Sequence, residues 1–202
     1  MNEVRWQRLM DQFGLSKNQD TFESLVNAHR QSHRHYHTTD HITAALNHLE
    51  DVSDFADEPD EIAMALWFHD AIYKPFSSTN EKDSALWARD FLAANNVPAI
   101  RRYRVYELIM ATCHNAECTN LDQQLMVDID LTILGSSPSV YQIFEKAVRM
   151  EYRRVPWFLY RSKRKQILNS FLARPRIYYH QWFFDRFEQQ ARQNLVGAIE
   201  GL

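Results

Sequence analysis

Apolar residues recur along most of this chain at helical spacing. Ile42, Ala45, Leu46 and Leu49 fall on one face, and Ile167, Leu168, Phe171 and Leu172 fall on another. Residues 62–68 (IAMALWF) are apolar on every side, which predicts a helix buried at the centre of the domain. No segment alternates with a convincing period of two. Asn18 is placed to cap a helix running to about residue 32, and Thr38 or Thr39 to cap one through roughly residue 56. Pro59, Pro98, Pro138 and Pro156 each fall where a helix would begin, and Gly14 and Gly135 where helices would stop. The expectation is a single all-α domain over residues 1–202, with eight to ten helices.

Composition narrows this picture. At 202 residues with 45% hydrophobic and 24% charged residues, the chain can bury a core without staples, which excludes wholesale disorder and a fibrous protein. Only four glycines argue against glycine-loop nucleotide folds and turn-rich sandwiches. Cys113 and Cys118 supply neither a disulfide framework nor a zinc knuckle. No apolar run of membrane length and no apolar leader core occur, so a cytoplasmic protein with no membrane partner is expected. A net charge of −3 argues against nucleic acid as the default partner. Charge is nonetheless uneven. Residues 50–61 are acidic and read as a solvated helix end; residues 149–165 are basic and aromatic and read as a solvated face with its aromatics turned inward.

Histidine changes the picture most, because six of nine lie between residues 29 and 48. His29, His33, His37 and His41 are spaced four apart, but the capping residues near Thr38 predict a break there. His41 then lies in the first turn of the following helix, with His37 just outside it, while His29, His33 and His35 read as structural or exposed. His69-Asp70 directly follows the apolar helix. An imidazole and a carboxylate in that position are costly unless paired or metal-bound; the alternative is a satisfied core histidine beside an exposed aspartate. In LMVDIDLTILG, Asp130 has Met126, Val127, Ile133 and Leu134 as its helical neighbours, whereas Asp128 has Gln124 and Thr132 and looks more exposed. Asp130 is therefore preferred over Asp128 as a ligand. His41, His69, Asp70 and Asp130 make a mixed nitrogen and oxygen set suited to Mn, Fe, Co, Ni or Zn.

In this order, His41, His69-Asp70 and Asp130 resemble the H…HD…D signature of the HD superfamily of metal-dependent phosphohydrolases. Tyr36-His37-Thr38-Thr39-Asp40-His41 and Asp130-Leu131-Thr132 are also similar to motifs of its cyclic-nucleotide phosphodiesterase branch. That likeness implies that His37 donates a proton to the leaving group. The segments YHTTDHI, ALWFHDAIY, NEKDSA, DIDLTILG and RMEY are similar to a group of bacterial proteins of about this length, known as predicted HD-type phosphohydrolases. The resemblance implies an all-α HD fold and hydrolysis of a phosphate ester, on a nucleotide or similar small phosphorylated metabolite. A homo-oligomer is compatible with it. Unlike the dinuclear members, this chain has only His114 between HD and the last Asp, so a second ion, such as Mg, would have few protein ligands.

In the expected reaction, water activated by the metal and oriented by Asp70 or Glu81 attacks phosphorus while His37 serves as general acid. Glu81 has a competing reading as the last residue of a capping box, Ser78-Thr79-Asn80-Glu81. Lys74, Asn80, His114, Arg149 and Arg161 are candidates for binding substrate, with Arg153 beside them. His114 reads equally as a helix-end cap, and Lys74 as a solvated loop residue. Two other classes of function stay open: a metal- and nucleotide-binding sensor without turnover, and a nucleic-acid or protein interaction module working through residues 149–165.

Overall fold

The computed structural model describes residues 1–113 and 117–202. Among these it contains ten α-helices, two 3-10 turns and no strand, so the chain is all-α. It divides into two compact units, Met1–Ile129 and Asp130–Leu202.

The first unit holds α1 (Glu3–Gln12), α2 (Gln19–His29), α3 (Thr39–Val52), α4 (Pro59–Phe68), α5 (Asn80–Ala94), α6 (Ala99–Ala111) and α7 (Leu121–Asp130), whose last residue opens the second unit. Helix α4 is the predicted apolar helix. It has no polar face to offer water, and α1, α3, α5 and α6 all pack against it. Ile62, Met64, Ala65, Leu66, Trp67 and Phe68 are all buried, and each large side chain among them contributes about 1.5–3 kcal/mol of transfer energy. Trp6 of α1 meets Trp67 edge-on with ring centres 5.3 Å apart, and its indole N–H is satisfied by the Lys17 carbonyl at 2.8 Å.

Two polar clamps hold helices onto α4. Glu61 is fully buried and accepts hydrogen bonds from Arg101 (2.8 Å) and Arg104 (2.6 Å), both on α6. The expectation of a solvated acidic stretch at 50–61 is corrected here: α6 brings two guanidinium groups that make burial of this carboxylate affordable. Asp122, in the first turn of α7, accepts from the backbone N–H groups of Asp57 (2.8 Å) and Glu58 (2.9 Å), just ahead of α4. The beginnings of α4 and α7 are thereby tied together.

Helix boundaries follow the punctuation closely. Pro59 and Pro138 open their helices, and Pro98 and Pro156 sit one residue ahead of theirs. Gly14 follows α1 at φ +68°, a conformation costly for any residue with a Cβ. Two expectations shift. Asn18 precedes α2 in a left-handed conformation and makes no side-chain cap; its Nδ2 donates to the Ser16 carbonyl. Helix α2 also stops at His29 rather than near residue 32.

The second unit begins with the 3-10 turn Leu131–Gly135, followed by α8 (Pro138–Glu151), α9 (Trp157–Leu172) and α10 (Gln181–Gly201). Helix α10 grips the turn: Asn194 donates to the carbonyls of Leu134 and Ser136, both at 2.8 Å. A Cβ at Gly135 would stand 2.6–2.9 Å from the Cβ, carbonyl and Cα of Phe187, so only glycine fits. Glu145 joins α8 to α9, accepting from Tyr141 and Arg164, each at 2.6 Å. The aromatics of residues 149–165 do not all turn inward. Tyr160 is buried, but Trp157, Phe158 and Leu159, in the first turn of α9, are exposed. Ile167, expected within an apolar stripe, is also exposed, while Leu168 and Phe171 are buried.

Candidate metal centre

The first predicted ligand, His41, is positioned by the break between α2 and α3. Thr38 has extended backbone, and its hydroxyl accepts from the Asp40 N–H at 3.3 Å, so α3 starts at Thr39 with His41 in its first turn. His41 is nearly buried, beside the buried stripe Ile42, Ala45, Leu46 and Leu49. The second ligand, His69, stands at the C-terminal end of α4. There the Leu66 carbonyl has lost its helical partner, and the His69 Nδ1 lies 3.0 Å from it. An N–H donated from Nδ1 makes Nε2 the acceptor nitrogen turned toward the cluster, the arrangement found behind metal-binding imidazoles.

The two Nε2 atoms lie 3.1 Å apart although their residues are 28 positions apart in sequence. The Asp70 Oδ2 is 3.2 Å from the Nε2 of His69 and 3.4 Å from that of His41. Ligand atoms of His41, His69 and Asp130 lie within 4.8 Å of one another. Asp130 is the final residue of α7.

The chemistry of this donor set fits a divalent cation. Donors bound at about 2.0–2.2 Å and separated by 90–110° stand about 2.9–3.5 Å apart, which matches these three separations. Burial by itself pushes the Asp70 carboxyl up, but the imidazoles of His69, His37 and His41 outweigh it and hold the carboxyl well below the usual carboxylate range. Positive charge at this point therefore stabilises the carboxylate. A metal ion supplies that charge while the imidazoles remain neutral ligands.

One aspartate expectation is inverted. Asp128 is fully buried, while Asp130 is only partly so. Counting neighbours along α7 identifies its apolar face correctly, but the helix is enclosed on nearly all sides, with Leu125, Met126, Val127 and Ile129 buried too. Asp130 is more open because it ends the helix at the cluster. It is still Asp130 that joins His41 and His69.

His37 is half-buried beside the cluster, its ring 6.2 Å from that of His41 and stacked on Tyr73 at 4.1 Å. Glu81 is half-buried in the first turn of α5. The capping box proposed for it does not form: Thr79, not Ser78, precedes the helix, and it makes no side-chain cap. Glu81 lies close enough to Cys113 for its charge to help raise the thiol pKa, behind the larger effect of burial. The Asn80 amide is committed to the backbone, donating to the Lys74 carbonyl and accepting from the Lys74 N–H, both at 3.0 Å. The Lys74 side chain is exposed. His114 lies outside the described residues, and Arg149, Arg153 and Arg161 belong to the second unit.

Arg34 was not legible as a site residue. It is buried and donates to the carbonyls of His37 (3.1 Å), Asp70 (2.7 Å) and Ala71 (2.9 Å). One guanidinium thus ties the segment that carries His37 to the segment that carries Asp70. An arginine within the polar run HRQSHRHYH has no periodicity or motif that would single it out. His33 adds a second tie, its Nε2 lying 2.9 Å from the Tyr73 carbonyl, and His35 is exposed. Cys113 and Cys118 carry thiols rather than a disulfide. No protein-family model, curated protein or solved structure matches this chain.

Proposed function

We propose that this protein is a metal-dependent phosphohydrolase of the HD type, acting on a nucleotide or similar small phosphorylated metabolite. The observation that carries the proposal is the convergence of His41, His69 and Asp70 to within 3.1–3.4 Å, with Asp130 in the same cluster. His41, His69, Asp70 and Asp130 would hold the ion, with Mn, Fe, Co, Ni and Zn all suited to such donors. A divalent ion there supplies Lewis acidity, polarising a phosphoryl oxygen and acidifying water at neutral pH. Asp70 or Glu81 orients the attacking water. His37, at the open edge of the cluster, holds the proton that the leaving oxygen needs, a contribution worth about 10²–10⁴ in rate.

The test is metal content per chain by elemental mass spectrometry, for wild type and His69→Ala purified without added metal. About one transition metal per chain in wild type and none in the variant is expected, followed by turnover in a phosphate-ester screen with that metal. Protein that retains no ion after incubation with any of the five metals would overturn the proposal. His37→Ala should keep its metal and slow esters of poor leaving groups far more than activated ones. Equal losses across both would remove His37 from the acid role.

A further inference from the structure

The second unit contains a cavity of about 960 Å³ between α8, the first turn of α9 and the C-terminal half of α10. That is at the upper end of the 300–1,000 Å³ typical of small-molecule sites. Its walls are largely aromatic and aliphatic, with Tyr141, Met150, Trp157 and Tyr160 on one side and Gly197, Ala198 and Gly201 across from them. A Cβ built on Gly197 or Gly201 meets nothing within 4 Å, so the α10 wall faces open space.

Two polar features of this cavity are left over from the fold, Arg149 and Lys146. The Arg149 guanidinium is stacked over the rings of Tyr160 (4.7 Å) and Trp157 (5.6 Å) and donates to the carbonyls of Tyr152 and Val155. No carboxylate among the described residues lies within ion-pair distance of Arg149 or of Lys146, one helical turn earlier. The one acidic side chain on the wall, Glu145, is already neutralised by Arg164. The cavity therefore combines an apolar body with two positive charges outside any salt bridge.

The geometry points to a binding site for an organic anion with a single acidic head and an apolar body. The head meets Arg149 and Lys146, and the body lies between Trp157 and the glycine wall of α10. This site uses none of the metal-cluster residues, so it is independent of the phosphohydrolase proposal.

Calorimetric titration of the full, EDTA-treated chain with decanoate, decanol and decyltrimethylammonium separates the charge requirement from the apolar one, and 1-naphthoate distinguishes an aromatic body from an aliphatic one. Decanoate or naphthoate should bind at least about tenfold more tightly than the alcohol, and the cation should not bind, a tenfold difference being about 1.4 kcal/mol. Arg149→Met should abolish the preference for the anion over the alcohol. Gly197→Leu projects into the open space and should abolish binding of every probe while leaving Tm unchanged, and Gly201→Leu serves as the second filling variant. Equal affinity for all charge types, absence of binding at millimolar probe, or undiminished anion binding in both filled variants would each overturn the site.

Discussion

His29 offers a test of how the histidine-rich segment is built. It is 1% exposed, and burial, aided by the nearby Arg34 guanidinium, lowers its pKa from 6.5 to about 3. The native state therefore keeps this imidazole neutral across a range in which the unfolded chain protonates it. The folded pKa is the depressed one, so the stability it represents is fully present above pH 6.5 and is lost as pH falls toward 3. One proton of difference is worth about 1.4 kcal/mol per pH unit within that window, or about 2 kcal/mol between pH 7 and pH 5. With an unfolding entropy of about 2.1 cal/mol/K per residue, a chain of 202 residues should lose about 5 °C of Tm from this group alone. His29→Phe removes the proton site while keeping a buried ring. It also removes Nε2, a buried nitrogen with no partner, and Arg34 retains three carbonyl acceptors. Calorimetric melts of both proteins in EDTA, at half-unit steps from pH 7.5 to 4.5, isolate the difference. The variant should lose Tm less steeply below pH 6.5, by about 5 °C across the window. Parallel curves would mean that His29 is protonated in the folded protein and that the burial argument is wrong.

Other perturbations test the supports around the cluster and the core. Arg34→Met removes the tie between the segments carrying His37 and Asp70 and should weaken metal binding by about 10–100-fold with little change in helicity; an unchanged affinity in metal titrations would show that the two segments hold themselves in place. Glu61→Gln strips the charge that pairs Arg101 and Arg104 and should cost about 2 kcal/mol in denaturant melts, less than for a wholly buried pair because the arginines are partly solvated. A loss below a few tenths would mean the clamp is replaceable by amide hydrogen bonds. Gly135→Ala forces a Cβ against the Phe187 backbone and should destabilise by about 1–3 kcal/mol or more, with a neutral melt refuting the tight approach of α10 to the 3-10 turn.

Local spacing was enough to determine the helices. The stripe Ile42, Ala45, Leu46 and Leu49, the fully apolar run 62–68, and the prolines at helix starts all describe what a segment does with its own neighbours, and helices are made of such contacts. The break near Thr38 was legible for the same reason, since a cap is a contact over two or three residues. It placed His41 in a first turn and His37 outside it. Tertiary structure decided what the distant segments do to each other. Nothing in the spacing of residues 50–61 distinguishes Glu61 from its solvated neighbours, because the charges that bury it arrive with α6. Helical neighbours ranked Asp130 as more buried than Asp128, and enclosure of α7 reversed that order. Arg34 matters only because the carbonyls after α4 are brought to it, and the cavity of the second unit exists only where three helices leave space between them. The dividing line is physical: periodicity and caps are properties of a few consecutive residues, whereas a cluster of ligands, a buried ion pair or a cavity depends on which remote surfaces meet.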